Sequence, residues 1–123
     1  MAVPPPRSSL KIRLVMGGRG DWLGPGKADL LEGIAATGSI SAAGRRMGMS
    51  YKRAWGLVEN MNAMFRDPLV RASRGGAGHG GAELTEAGAR VLALYRRMQV
   101  TGAASMAEEI AELEALADMS ERK

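Results

Sequence analysis

The chain has 123 residues, 46% apolar and 24% charged, with 17 Lys/Arg, 13 Asp/Glu, a formal net charge of +4 and no cysteine. That length supports one modest core and excludes a two-domain cofactor enzyme of the doubly wound kind, while the missing cysteines exclude disulfide scaffolds, iron–sulfur centres and thiolate nucleophiles. Residues 1–81 hold 12 Lys/Arg against 5 Asp/Glu and residues 82–123 hold 5 against 8, a basic body with an acidic tail that fits either a polyanionic partner or a solvated surface.

Residues 1–9 include Pro4, Pro5 and Pro6, which withhold backbone donors and favour an extended arm, so this stretch is expected to be disordered and outside the core. No basic cap and apolar h-region opens the chain, and no apolar run nears the ~20 residues of a membrane span, so the expectation is cytoplasmic and without membrane contact. Leu10 to Met16 alternates apolar with basic residues, the period of a half-buried strand. The glycines from Gly17 to Gly26 predict a long loop, packed down by Trp22 and Leu23.

From about Gly26, Leu30, Leu31, Ile34 and Ala35 follow the spacing of an amphipathic helix that closes at Thr37-Gly38. Two further helices are predicted, Ser41 to about Met47 and Ser50 to about Met64, each opened by a serine able to accept from free backbone donors, with Gly48-Met49 between them. Asp67-Pro68 ends the third helix; Leu69 to Ser73 and Ala82 to Thr85 then read as strands around a glycine-rich loop, Arg74 to Gly81. From Glu86, the apolar positions Val91, Leu94, Tyr95, Met98, Met106, Ile110, Leu113 and Ala117 predict one long helix, or two in line, reaching about Met119 and interrupted near Thr101-Gly102. The fold class is therefore mainly α with a small β-hairpin (α+β).

The segment Ile40 to Glu59 meets the demands of a helix-turn-helix. Ala43, Gly44 and Ala54 are small where the backbones would approach, Gly48 tolerates the positive φ of the turn, and Met47, Met49, Leu57 and Val58 supply core. Trp55 and Phe65 read as core as well. Ser50, Tyr51, Lys52 and Arg53 crowd into the first turn of the second helix, the end that enters the major groove of double-stranded DNA in this motif. Lys52 and Arg53 suit guanine edges or phosphates, and Ser50 and Tyr51 suit phosphate or sugar. Arg45 and Arg46, on the preceding helix, suit phosphate or water. The strand, loop and returning strand make this a winged version, with Arg71, Arg74 and His79 on or beside the wing, where a phosphate backbone or minor groove would lie.

Gly76, Gly78 and Gly81 match G-x-G-x-x-G, but no βαβ unit or acidic residue on a later strand follows, so no dinucleotide cofactor is expected. His79 has no Asp, Glu or Cys set at ligand spacing, so neither a metal nor an enzyme's general base is expected.

The residues G-S-I-S at Gly38 to Ser41, S-Y-K-x-A-W at Ser50 to Trp55, Met61-Asn62, the glycine-rich wing and L-T-x-x-G at Leu84 to Gly88 resemble the N-terminal DNA-binding domain of the ModE family of molybdate-responsive regulators. The helix-turn-helix is more loosely similar to that of LysR-type regulators. The resemblance spans about residues 10–100, with the helix-turn-helix near 39–64 and the wing near 69–85. It implies a winged helix-turn-helix acting as a homodimer on a palindromic operator, with the long helix of residues 86–119 in the dimer contact. Full-length family members bind molybdate in additional β-barrel domains; no second run of strands follows here, so a regulator without its own molybdate sensor is expected, its effector unknown. Two other readings remain: a protein-interaction adaptor on a winged-helix scaffold, and an oxyanion-binding protein using the wing amides.

Overall fold

The computed structural model describes residues 8–73 and 81–117. The elements run β1 (Leu14–Met16), β2 (Asp21–Leu23), α1 (Pro25–Thr37), α2 (Ile40–Arg46), α3 (Tyr51–Met64), β3 (Val70–Ser73), β4 (Gly81–Leu84), α4 (Glu86–Ser105) and α5 (Ala107–Leu116). The strands form two antiparallel hairpins, β1 with β2 and β3 with β4, and the latter is the wing. This is the expected α+β winged helix.

Four local expectations need correction. The stretch Gly17 to Gly26 is not one long loop: Gly17 and Gly20 take positive φ, turn the chain, and pair Leu14 with Leu23 and Met16 with Asp21. The first strand is accordingly shorter than Leu10 to Met16. Ile12 lies outside the ladder, its carbonyl accepting from the Tyr95 hydroxyl at 2.6 Å. The cap of α2 is Ser39 rather than Ser41, its side chain accepting from the Ala42 amide at 3.1 Å. The C-terminal break falls at Met106 (φ −108°, ψ 14°), and α4 continues through Thr101-Gly102, because a lone glycine inside a helix costs only about 1 kcal/mol. Residues 118 and 119, the expected end of that helix, lie outside the described residues.

Leu30, Leu31 and Ile34 of α1, Ile40 and Ala43 of α2, and Ala54, Val58 and Met61 of α3 form one buried cluster with Leu69, Val70 and Ala82 of the wing base. Recognition-type corner and wing therefore share one core, which fixes their relative orientation. A smaller cluster joins Leu23 and Ala28 to Tyr95. Burial raises the Tyr95 hydroxyl above its usual value, with Arg96 opposing and Asp29 adding to the shift.

Lys27 is also in the interior, 1% exposed. Its ammonium donates to the Trp22 carbonyl at 2.8 Å and to Asn60 Oδ1, and lies 3.9 Å from the Trp22 ring centroid. These contacts compensate a buried charge. Burial nevertheless lowers its pKa, against Asp21, which raises it, and with Arg13, which lowers it further. On the α1–α4 surface, Arg96 bridges Asp29 at 2.8 Å and Glu32 at 3.0 Å.

Candidate nucleic-acid interface

The corner between α2 and α3 follows from local chemistry. A Cβ on Gly44 would lie 3.0 Å from that of Ala54, so these small residues set the closest approach of the two helices. Gly48 takes φ +71°, and the Met49 amide donates to the Gly44 carbonyl at 3.0 Å, closing the turn. Ser50 caps α3, its hydroxyl oxygen accepting from the Arg53 amide at 3.1 Å. The Ser50 side chain is thus engaged in holding the first turn that carries its neighbours.

Tyr51, Lys52 and Arg53 are all exposed on that turn, and Arg45 and Arg46 are exposed in the last turn of α2. Across residues 39–64 the only acidic side chain is Glu59, so the surface of the corner is cationic. Lys52, Arg53, Gly56, Leu57 and Ser50 border a shallow depression on the outer side of α3. Arg71 projects from β3 but is tied to Glu83 across the hairpin at 2.8 Å. Arg74 and His79 lie outside the described residues. The structure thus brings Arg45, Arg46, Ser50, Tyr51, Lys52 and Arg53 together on one corner, with Arg71 on the adjacent wing strand.

The wing is fastened at both edges. The Ala82 amide donates to the Gly38 carbonyl at 2.9 Å, tying β4 to the α1–α2 junction. On the other edge, Asn62 Oδ1 accepts from the Leu69 and Val70 amides at 2.8 and 3.0 Å, and its amide donates to the Val70 carbonyl at 3.1 Å. One side chain of α3 therefore sets the start of β3. Below, the Thr85 hydroxyl donates to the Pro68 carbonyl at 2.6 Å and accepts from the Gly88 amide at 3.0 Å. Gly88 sits against β3 so closely that a Cβ would overlap the Leu69 carbonyl.

Sequence reasoning placed Trp55 in the core, and the structure does not: it is 40% exposed. The buried positions of α3 are Ala54, Val58 and Met61, and Trp55 is one residue, about 100° of helix, away from that line. It packs edge-to-face on Tyr51 with ring centroids 6.1 Å apart. The i, i+4 spacing of the two aromatics was the available signal. Phe65 is half-buried against the main core, in keeping with its expected place. Asn62 was legible only as part of a resemblance, since an asparagine's hydrogen bonds to a distant strand leave no periodic trace. Among the described residues, no group of His, Cys, Asp or Glu could hold a metal ion, and no helix is long and apolar enough to cross a membrane.

Comparison with known proteins agrees with this geometry. The family model of bacterial regulatory helix-turn-helix proteins of the lysR family matches residues 27–89. The molybdenum-pterin-binding protein MopB of Rhodobacter capsulatus is 47% identical over 76 residues, 62% of this chain and 28% of that protein. The molybdenum transport protein ModE of Azotobacter vinelandii is 41% identical over 71 residues, 58% of this chain and 26% of that protein. The DNA-binding transcriptional dual regulator ModE of Escherichia coli K12 is 44% identical over 71 residues, 58% and 27% respectively. The matches thus cover only about a quarter of the length of these curated relatives.

Proposed function

Because this chain belongs to the lysR family of bacterial regulatory helix-turn-helix proteins, we propose that it is a sequence-specific, DNA-binding transcriptional regulator acting as a homodimer on a palindromic operator. The observation that carries this reading is the rigid cationic corner: a capped α3 presents Tyr51, Lys52 and Arg53 beside Arg45 and Arg46. An N-terminal turn of that shape and charge fits the major groove. Lys52 and Arg53 reach guanine edges or phosphates, while Ser50, Tyr51, Arg45 and Arg46 hold the register on the backbone. Arg71 is exposed, so its pair with Glu83 is worth about 0–1 kcal/mol and yields readily to a phosphate. Arg74 and His79, which follow Arg71 in the sequence, are proposed as further phosphate-binding residues.

A second copy would pack on α4 and α5, where Leu94 and Met98, one turn apart on α4, and Leu113 and Leu116 on α5 are exposed; exposed apolar side chains of this kind are what a symmetric contact covers. Two copies would space their α3 helices by about one DNA turn, ~34 Å, which demands a palindrome.

Fluorescence anisotropy against genomic duplexes, including the chain's own promoter, tests the reading at two salt concentrations, with and without molybdate. The expected result is fragment-selective binding that falls steeply with salt. In Lys52→Ala, a phosphate role lowers affinity for all sequences alike and reduces the salt slope by about one, whereas a base-reading role collapses discrimination at one operator position. Binding that ignores salt, or is equally weak to every fragment, overturns the reading in favour of an adaptor. Sedimentation must show a dimer at the concentrations that bind DNA.

A further inference from the structure

The aromatic pair on α3 is unexplained by packing among the described residues. Tyr51 is 58% and Trp55 40% exposed, although α3 already buries Ala54, Val58 and Met61. Their rings form one wall of a groove of about 440 Å³ between α3 and the wing, floored by Val58 and Val70 and faced by Ala72 and Ala82. The groove is mainly apolar, yet Arg71 lines it, and residues 39–64, which supply its helical wall, carry four cations and one acid. A partner that fits must be anionic overall and present an apolar group at close range.

The major groove of B-DNA meets both conditions. Its phosphates match the cations, and its edges offer one apolar substituent, the 5-methyl group of thymine. Trp55 lies one helical turn beyond Tyr51, on the flank of α3 that faces the wing. Trp55 is thus the exposed aromatic that follows the cationic first turn of α3 along the helix. We propose that Trp55, braced by Tyr51, is a base-reading residue that recognises a thymine methyl in each operator half-site. This assignment rests on the DNA-binding reading above. The edge-to-face contact restricts the indole's rotamers before DNA arrives, so less ordering is required on binding.

Deoxyuridine differs from thymidine by that methyl alone and keeps the Watson–Crick pair. A duplex selected by the full chain from a random pool is resynthesised with each thymine replaced in turn by deoxyuridine, and affinities are read by anisotropy. At one thymine per half-site the replacement is expected to weaken binding about fourfold, the equivalent of one buried methylene. In Trp55→Ala the difference between the two bases at that position disappears, while the salt slope and the far-ultraviolet circular dichroism are unchanged. Trp55→Phe keeps the difference and controls for folding.

If the wild-type chain binds its operator selectively and every deoxyuridine replacement is neutral, the proposal is overturned and the DNA-binding reading stands. A methyl preference that persists in Trp55→Ala overturns the assignment to Trp55. Failure to select any duplex overturns both readings.

Discussion

Replacing Asn62 by alanine removes three hydrogen bonds at once, those to the amides of Leu69 and Val70 and to the carbonyl of Val70. Leu69 and Val70 are both buried, so water does not readily replace the lost partners. Each buried backbone group left unpaired costs about 1–3 kcal/mol, and partial relaxation of the hairpin edge recovers some of it. The expected loss is therefore about 2–4 kcal/mol, at the upper range of single substitutions. Asn62→Asp keeps an oxygen that accepts from both amides, loses the donor, and sets a carboxylate against the Val70 carbonyl. Its loss should be smaller than that of alanine, because two of three bonds survive. Urea unfolding followed by circular dichroism measures both variants, and in a domain of this size each kcal/mol also lowers the melting temperature by about 4 °C. A loss below about 0.5 kcal/mol for Asn62→Ala, the ordinary level of an exposed substitution, would show that the wing base is held by its apolar contacts alone.

Gly88→Ala drives a methyl into the Leu69 carbonyl, which is held by the Thr85 amide at 2.9 Å, so a loss of about 1–3 kcal/mol from overpacking is expected in thermal melts; an unchanged melting temperature refutes the close approach. Gly48→Ala forces a side chain into a left-handed turn with φ +71° and should cost about 1–2 kcal/mol in urea unfolding. Burial lowers the Lys27 pKa in the folded chain, so the unfolded chain binds this proton more tightly and stability rises with pH between the lowered folded value and the unfolded 10.5. The stability of Lys27→Met minus that of the wild type, compared by urea unfolding at pH 8 and 10, should therefore fall as pH rises; a constant difference would contradict the buried charge.

Local chemistry alone determined the helical elements and the corner. The spacing of Leu30, Leu31 and Ile34 marks the buried face of α1, the Ser50 cap starts α3, and Gly48 supplies the left-handed turn. Each depends on neighbours within about one turn of chain, where periodicity and capping act. The cationic corner was legible for the same reason, since Lys52 and Arg53 follow the cap directly. The tertiary structure alone decided which helical flank remained open. Trp55 is as apolar as its buried neighbours, and only the wing's position, held by Asn62 and by the Gly38 carbonyl, leaves a groove in front of it instead of a lid over it. Lys27 likewise carries no sequence signal of burial, and Trp22 and Asn60, 5 and 33 positions away in sequence, close around its ammonium. Such contacts join residues distant along the chain, so their energies arise only when the folded backbone brings the partners together.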